Sequence, residues 1–202
     1  LNVTGNSSKL SASQTRKGRA MRAMLFTDVR GFSGLMDSEI PLFADHVLKP
    51  LAEVCQAEGQ SIDFLNTWGD GLFITFDRVV DAARVALKLQ KTFQSIDFVA
   101  VGLPDDLAIR IGGHDGPVQE LTDPFSGEVG VFGAQVTVAA KIEPVTAPGS
   151  IYVSEPFASA LAVHASNDYV AEKMQNSITL HKSAKAVSLF NLRAKGYAGF
   201  LN

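Results

Sequence analysis

The stretch on which the fold prediction rests is Ala23-Met24-Leu25-Phe26-Thr27-Asp28-Val29-Arg30-Gly31-Phe32-Ser33. It begins with a short apolar run, which predicts a buried strand, and the residues after Asp28 predict a turn. Asp28 therefore stands at the tip of a buried strand. Small residues that lead from a strand into a helix present backbone N–H groups, and such groups commonly receive a phosphate. We expect a polar site at this end of the strand.

A second carboxylate is predicted at the tip of a β-hairpin. Ser61–Asn66 and Leu72–Phe76 have the composition of strands, and Trp68-Gly69-Asp70-Gly71 between them predicts a tight turn. If the hairpin lies beside the first strand, Asp28 and Asp70 meet. Adjacent carboxylates repel unless a hard cation neutralises them, and Mg²⁺ is held by one or two carboxylates together with phosphate oxygens. The alternative is that each aspartate only caps a turn.

Strands and helices are predicted to alternate along the rest of the chain. This order is typical of an α+β, ferredoxin-like fold with a mixed, mainly antiparallel sheet and helices packed on one of its faces. Arg110, near the end of one strand, is the predicted positive contact for a phosphate. The predicted helices cover residues 41–58, 79–93, 136–142 and 156–163, and Pro50 is expected to kink or break the first of them. The further predicted strands cover residues 107–112, 149–154 and 187–192. We place a polar linker at 1–22, the domain at 23–195 and a tail at 196–202.

Composition narrows the function classes. The 202 residues, 46% of them hydrophobic, suit one globular domain with a core of its own. The net charge of -3 argues against a dedicated nucleic-acid surface, and no apolar run approaches the roughly 20 residues of a membrane span. The single cysteine, Cys55, favours a reducing compartment, and hence the cytoplasm. Because the chain starts at Leu1 rather than at methionine, we expect it to be part of a longer protein with an upstream domain.

Several sequence blocks together resemble a known family. In order, they are Leu25–Ser33, Thr67–Leu72, Ile109–Gly116, Phe132–Lys141 and Gly149–Ser154. They resemble the class III nucleotidyl cyclase catalytic domain, the family of adenylate and guanylate cyclases. One block alone is a weak signal, whereas several in family order are a specific one. The resemblance covers nearly everything from Ala23 to Leu192.

The resemblance implies a metal-dependent reaction on a nucleoside triphosphate. In the family, the ribose 3′-oxygen attacks the α-phosphorus, pyrophosphate leaves, and two Mg²⁺ or Mn²⁺ ions lower the charge barrier. The active site is shared across a head-to-tail homodimer, so a monomer is expected to be inactive. Transferred position by position, the implied metal ligands are Asp28, Asp70 and the Val29 carbonyl, and the implied phosphate contacts are Gly31, Phe32, Arg110 and Lys182.

Two catalytic positions depart from the family pattern. Thr137 stands where the family has an asparagine that orients the ribose, and Lys141 stands where it has an arginine that steadies the transition-state phosphate. Threonine still offers a hydrogen bond, and lysine still offers a positive charge. Lysine lacks the fixed fork of arginine, so we expect weaker transition-state stabilisation and weak activity.

The positions that select the base also depart. Asn66 stands where adenylate cyclases have lysine and guanylate cyclases have glutamate, and its partner position is Gly130. These residues match neither the adenine nor the guanine pattern, so a pyrimidine cyclase acting on UTP or CTP is an alternative. A further alternative is a degenerate domain that binds nucleotide or only dimerises. The presence of Asp28, Asp70 and Arg110 favours catalysis, since a scaffold has no need of that paired charge.

Overall fold

An eight-stranded sheet forms the centre of the computed structural model, which describes residues 18–165, 167–175, 178–179 and 186–196. The strands are β1 (Gly18–Arg30), β2 (Phe64–Trp68), β3 (Gly71–Phe76), β4 (Ala108–Thr122), β5 (Val129–Phe132), β6 (Ile151–Ser154), β7 (Tyr169–Lys173), β8 (Ile178–Thr179), β9 (Ala186–Val187) and β10 (Leu189–Ala194). The sheet order is β2-β3-β1-β4-β6-β10-β7, with β5 paired to β4, while β8 and β9 form a separate pair. Only β4 and β6 run parallel among the described strands. The predicted mixed, mainly antiparallel sheet is confirmed.

Helices cover both faces of this sheet. They are α1 (Ile40–Phe43), α2 (Lys49–Ala57), α3 (Val79–Gln94), α4 (Ala134–Ile142) and α5 (Glu155–Ala165). A π-helical turn, Ala44–Leu48, joins α1 to α2, and short 3-10 turns lie at Phe32–Gly34, Gly59–Ser61 and Glu143–Val145. In the described part of the chain, every helix is too short or too polar to cross a bilayer.

The two faces of β1 belong to two different cores. Alternate residues of a strand point to opposite sides of the sheet. Ala23 and Leu25 pack in the larger core with α2, α3 and α5, whereas Met24 and Phe26 pack in a smaller core with Ala139 of α4. The expectation that the helices share one face is therefore wrong for α4. The reason is that the second face of the sheet is also apolar, and α4 covers it with small residues.

The first strand begins earlier than its apolar run predicts. β1 starts at Gly18 rather than at Ala23, and it pairs with β4 along its whole length. The polar segment 1–22, predicted as a linker, thus contributes its last five residues to the sheet. Arg22 is only 4% exposed there, because Asp77 and Glu120 neutralise its guanidinium at 2.6 Å each.

Other boundaries differ from the predictions for physical reasons that the structure makes clear. The predicted 41–58 helix stays helical through Pro50, but the π-helical turn Ala44–Leu48 interrupts its α-helical form directly before α2, in whose first turn Pro50 lies. β4 continues to Thr122, well past the predicted end, because its polar second half pairs with both β1 and β5. The short strands β5 and β7 were not predicted. Cys55 is buried in the larger core, where burial raises the pKa of its thiol to about 11.

Candidate active site

Asp28 and Asp70 come together at one end of the sheet. Asp28 lies near the end of β1, and Asp70 lies in the turn between β2 and β3. β3 pairs with β1 up to Thr27 and Leu72, so the turn is placed beside Asp28. The Val29 backbone N–H donates to Asp70 Oδ2 at 2.9 Å, and the Leu72 N–H donates to Thr27 Oγ1 at 3.1 Å. The convergence of the two carboxylates that the sequence suggested is present in the structure.

The electrostatics of the pair favour binding of a cation. Partial burial raises the pKa of Asp70, and the neighbouring Asp28 raises it further through its charge and through a side-chain hydrogen bond. The hydrogen bond from Val29 acts in the opposite direction and lowers it. The repulsion shows that the two groups share one small space, where a hard cation stabilises both charges.

Arg110 lies directly across the sheet from Asp28. The two residues are opposite each other in the β1–β4 pairing, which puts their side chains on the same face. The Arg110 Nη2 donates to Asp28 Oδ2, and the Arg110 Nε lies 2.9 Å from Glu143 Oε1. The sequence suggested Arg110 as a phosphate contact. The structure adds that its guanidinium neutralises Asp28.

Glu143 is a site residue that sequence reasoning missed. It begins the 3-10 turn that follows α4, and its backbone packs against β4 at Gly112. Burial raises the pKa of its carboxyl to about 7; the nearby Arg110 charge acts to lower it, and the charges of Asp28 and Asp70 act to raise it. The only sequence signal was an acidic residue directly after an apolar helix, which carries no motif.

The segment after Asp28 makes a tight turn rather than the start of a long helix. Gly31 has a left-handed φ of 93°, and a Cβ there would lie 2.9 Å from Leu107 Cδ2. Only glycine fits this position without strain. The 3-10 turn that follows covers three residues, and the Phe32 ring packs on Phe43 at 4.9 Å. The backbone amides of Gly31 and Phe32, predicted to contact phosphate, thus lie at the start of this short turn.

Thr137 and Lys141 share one face of α4. They are four residues apart, which places them on neighbouring turns, and Thr137 is exposed. His114 of β4 fixes the first turn of this helix, since its Nε2 lies 2.7 Å from Gln135 Oε1 and its Nδ1 lies 2.7 Å from Ser154 Oγ. Burial lowers the pKa of His114, which keeps the ring neutral in this bridge.

The two predicted base-selecting residues lie on other strands. Asn66 is exposed on β2, and its side-chain oxygen accepts a hydrogen bond from the Thr67 backbone N–H at 3.0 Å. Its amide NH₂ group and the second lone pair of its oxygen remain to face a ligand. Gly130 is buried on β5, opposite Leu121 of β4. Lys182, the remaining predicted phosphate contact, lies outside the described residues.

The donor set at the carboxylate pair suits Mg²⁺ or Mn²⁺. Carboxylate oxygens are the hard ligands that these ions prefer, and Asp28 and Asp70 supply them from two separate strand ends. No group of three or more histidine, cysteine or acidic side chains suited to a metal exists within residues 18–196 as far as they are described. A cation here would take its other ligands from a bound phosphate and from water, as Mg²⁺ usually does.

Comparisons with known proteins identify the family of this chain. The model of the adenylate and guanylate cyclase catalytic domain matches residues 17–192. A Rhizobium meliloti protein named as an adenylate cyclase is 30% identical over 146 residues, which are 68% of this chain and 22% of that protein. The chain thus spans about a fifth of the length of this relative.

Solved structures show the same fold. The adenylyl cyclase CyaB from P. aeruginosa superposes with a TM-score of 0.75 at 18% identity, covering 88% of this chain and 96% of that one. The guanylate cyclase domain of RhGC from Catenaria anguillulae, in complex with GTP, gives a TM-score of 0.71 at 16% identity, covering 87% and 97%. The family match extends over nearly all of the described residues, and this chain belongs to the adenylate and guanylate cyclase catalytic domain family.

Proposed function

We propose that this chain is the catalytic domain of a metal-dependent nucleotidyl cyclase. It converts a nucleoside triphosphate into a 3′,5′-cyclic nucleotide and pyrophosphate at the interface of a head-to-tail homodimer. The observation that carries the proposal is the convergence of Asp28 and Asp70 beside Arg110 at the end of β1. A fold that needed only to dimerise would gain no stability from two adjacent carboxylates, which repel each other.

The residues of the site have complementary tasks in this reaction. Asp28, Asp70 and the Val29 carbonyl would hold two Mg²⁺ or Mn²⁺ ions, which would supply neutralising charge to the reacting oxygens. Arg110 and the amides of Gly31 and Phe32 bind phosphate oxygens and fix the α-phosphorus in line with the 3′-oxygen. The 3′-hydroxyl passes its proton to solvent water, its oxygen forms a bond to the α-phosphorus, and the bond between the α-phosphorus and the oxygen that bridges to the β-phosphate breaks. Pyrophosphate leaves with that oxygen.

Apolar side chains on the β4–β5 hairpin support the homodimer. Phe125 at its tip is 99% exposed, and Leu121 and Phe132 on its strands are 48% and 38% exposed. Exposed apolar residues clustered on one hairpin are typical of a protein interface. Across this interface, Thr137 and Lys141 of one subunit would reach the ribose and the transition-state phosphate bound by the other. Because Lys141 lacks the fixed fork of arginine, we expect slow turnover.

The orientation of Asn66 bears on the base. With its oxygen accepting from Thr67, Asn66 acts as a donor and suits a base edge that presents an acceptor. Each of the four bases presents an acceptor beside an N–H donor on its pairing edge, so Asn66 by itself excludes none of them. Gly130 adds no side-chain contact. We propose a purine or pyrimidine nucleoside triphosphate as the substrate, and product analysis identifies its base.

Product analysis tests the proposal directly. The purified chain is incubated with ATP, GTP, UTP or CTP and Mn²⁺, and the products are identified by mass. We expect one cyclic monophosphate with an equal amount of pyrophosphate, and none from an Asp28→Asn variant. Nucleotide binding without any product from the four substrates contradicts the proposal. That result would favour a nucleotide-binding or dimerisation module, a second candidate that the departures at Thr137, Lys141 and Gly130 support.

A further inference from the structure

Arg110 is shared between two carboxylates that belong to different parts of the fold. Its Nη2 donates to Asp28 on β1, while its Nε lies 2.9 Å from Glu143 Oε1 after α4. Although this second distance is short, the Nε–H does not point at the oxygen, so the contact is an ion pair without a hydrogen bond. Both atoms are buried and have no other hydrogen-bond partner. Buried polar atoms are rarely left unpaired, so this pair has an unused hydrogen bond.

Glu143 is held rigidly enough to act as a fixed point. A Cβ on Gly112 would lie 2.5 Å from the Glu143 backbone nitrogen, so the chain passes in contact with β4 at this point. The turn is closed by two further hydrogen bonds, from the Thr146 N–H to the Glu143 carbonyl at 2.9 Å and from Thr146 Oγ1 to the Ile142 carbonyl at 2.8 Å. These contacts fix the backbone of Glu143, and its side chain is only 13% exposed. Because the Arg110 Nε already lies 2.9 Å from Glu143 Oε1, a small rotation of the guanidinium brings the N–H onto this oxygen.

We propose that Glu143 is a positioning residue, which holds the Arg110 guanidinium by its Nε so that the Nη groups can bind a polyphosphate. When an anion draws Nη2 away from Asp28, a small rotation aligns Nε–H with Glu143 Oε1 and completes the unused hydrogen bond. Without Glu143, Arg110 has only Asp28 as a partner and stays bound to it. This inference rests on the proposed function, because it assumes that Arg110 meets the triphosphate.

Calorimetric titration with inorganic tripolyphosphate in the presence of Mg²⁺ tests the inference without turnover. Glu143→Leu removes the acceptor, and we expect it to weaken tripolyphosphate binding about tenfold. Glu143→Gln keeps an acceptor oxygen without the charge, and we expect binding within about threefold of the unmodified chain. A purely electrostatic role predicts tighter binding in both variants, because a negative charge near the anion is removed. A purely structural role lowers the number of sites and leaves the dissociation constant unchanged.

Glu58 provides a matched control. Its carboxylate is about as buried as that of Glu143 and lies 3.0 Å from the Nε of Arg84, on the other side of the sheet. Glu58→Leu and Glu58→Gln should leave the dissociation constant unchanged. If Arg110→Leu weakens tripolyphosphate binding while Glu143→Leu leaves it unchanged or tightens it, the inference is overturned and the proposed function is not. No binding by the unmodified chain overturns both the inference and the phosphate site of the proposed function.

Discussion

Arg110 and Asp28 face each other across β4 and β1, and the Nη2 of Arg110 donates to Asp28 Oδ2. This pair neutralises one of the two carboxylates in the candidate active site, so the site is stable before any cation binds. A cation that binds Asp28 has to displace the guanidinium, which then becomes available to a phosphate. Metal and nucleotide binding are therefore expected to support each other.

The Arg110–Asp28 pair should show measurable coupling in stability. In metal-free buffer, Asp28→Asn and Arg110→Met are combined in a double-mutant cycle of the free energy of unfolding. We expect a coupling of about 1–2 kcal/mol, because both side chains are partly buried. The pair Arg193–Glu172, whose carboxylate side chain is 58% exposed, is the control and should give less than about 1 kcal/mol. Strict additivity at Arg110 and Asp28 would contradict the assignment of this ion pair.

The two aspartates should be indispensable for turnover. Asp28→Ala and Asp70→Ala each remove a carboxylate from the proposed cation site, and we expect Mn²⁺-dependent pyrophosphate release to fall at least about 100-fold. Circular dichroism should show an intact fold in both variants. Asp105→Ala, an exposed aspartate outside the site, serves as control and should retain full activity. Near-normal turnover in either site variant would refute the proposed metal assignment.

Asn66 should control the choice of base. Asn66→Lys keeps a donor and adds a charge, so we expect the ranking of ATP, GTP, UTP and CTP by kcat/KM to change by about tenfold in favour of ATP. Thr67→Lys adds the same charge one residue along β2, where the side chain points to the opposite face. In this control variant, the four activities should either stay unchanged or fall by the same factor. The same ranking in Asn66→Lys and the unmodified chain would remove Asn66 from the base site.

Activity should depend on assembly through the β4–β5 hairpin. We expect specific activity to rise with chain concentration and sedimentation to show a dimer. Phe125→Glu places a charge on the most exposed apolar side chain of the hairpin, so the dimer dissociation constant should rise at least about tenfold. Val163→Glu on α5 is the matched control, since Val163 is also exposed at 79% but lies outside the hairpin. Specific activity independent of dilution would argue against a shared site.

Glu143 should make stability fall as the pH rises. Its pKa is raised from 4.5 to about 7, so the folded chain binds more protons than the unfolded chain between these values. The free energy of unfolding therefore loses a contribution on the order of 3 kcal/mol across this window. Glu143→Gln should match the unmodified chain near pH 4 and be relatively more stable near pH 8, in denaturant titrations with a chelator present.

Glu58 gives the opposite sign in the same measurement. Lys88 and Arg84 hold the pKa of Glu58 below its usual value through hydrogen bonds and charge, and they outweigh the opposing effect of burial. Glu58→Gln should therefore become relatively less stable as the pH rises through the carboxyl range. Parallel pH profiles for the Glu143 and Glu58 variants would show that the pKa of Glu143 is not raised in the folded chain.

Local sequence signals were sufficient to place each carboxylate of the pair at a strand end, and the meeting of the two remained conditional. The apolar run before Asp28 and the glycine-flanked turn at Asp70 each indicate their own structure, and the pairing of β3 with β1 then brings them together. Glu143 could not be predicted this way, because its approach to Arg110 depends on the contact between the α4 end and β4. The part of β1 that precedes Ala23 could not be predicted for a related reason. Arg22 is buried by Asp77 and Glu120, which lie far from it in the sequence.

The contact at Gly112 has a consequence for how this domain tolerates change. A single added methyl group there would meet the Glu143 backbone and force the end of α4 away from the sheet. Thr137 and Lys141 lie on that helix, and Arg110 lies two residues from the contact. Alanine at position 112, an uncharged substitution that removes no polar group, would therefore disturb both halves of the reaction centre simultaneously.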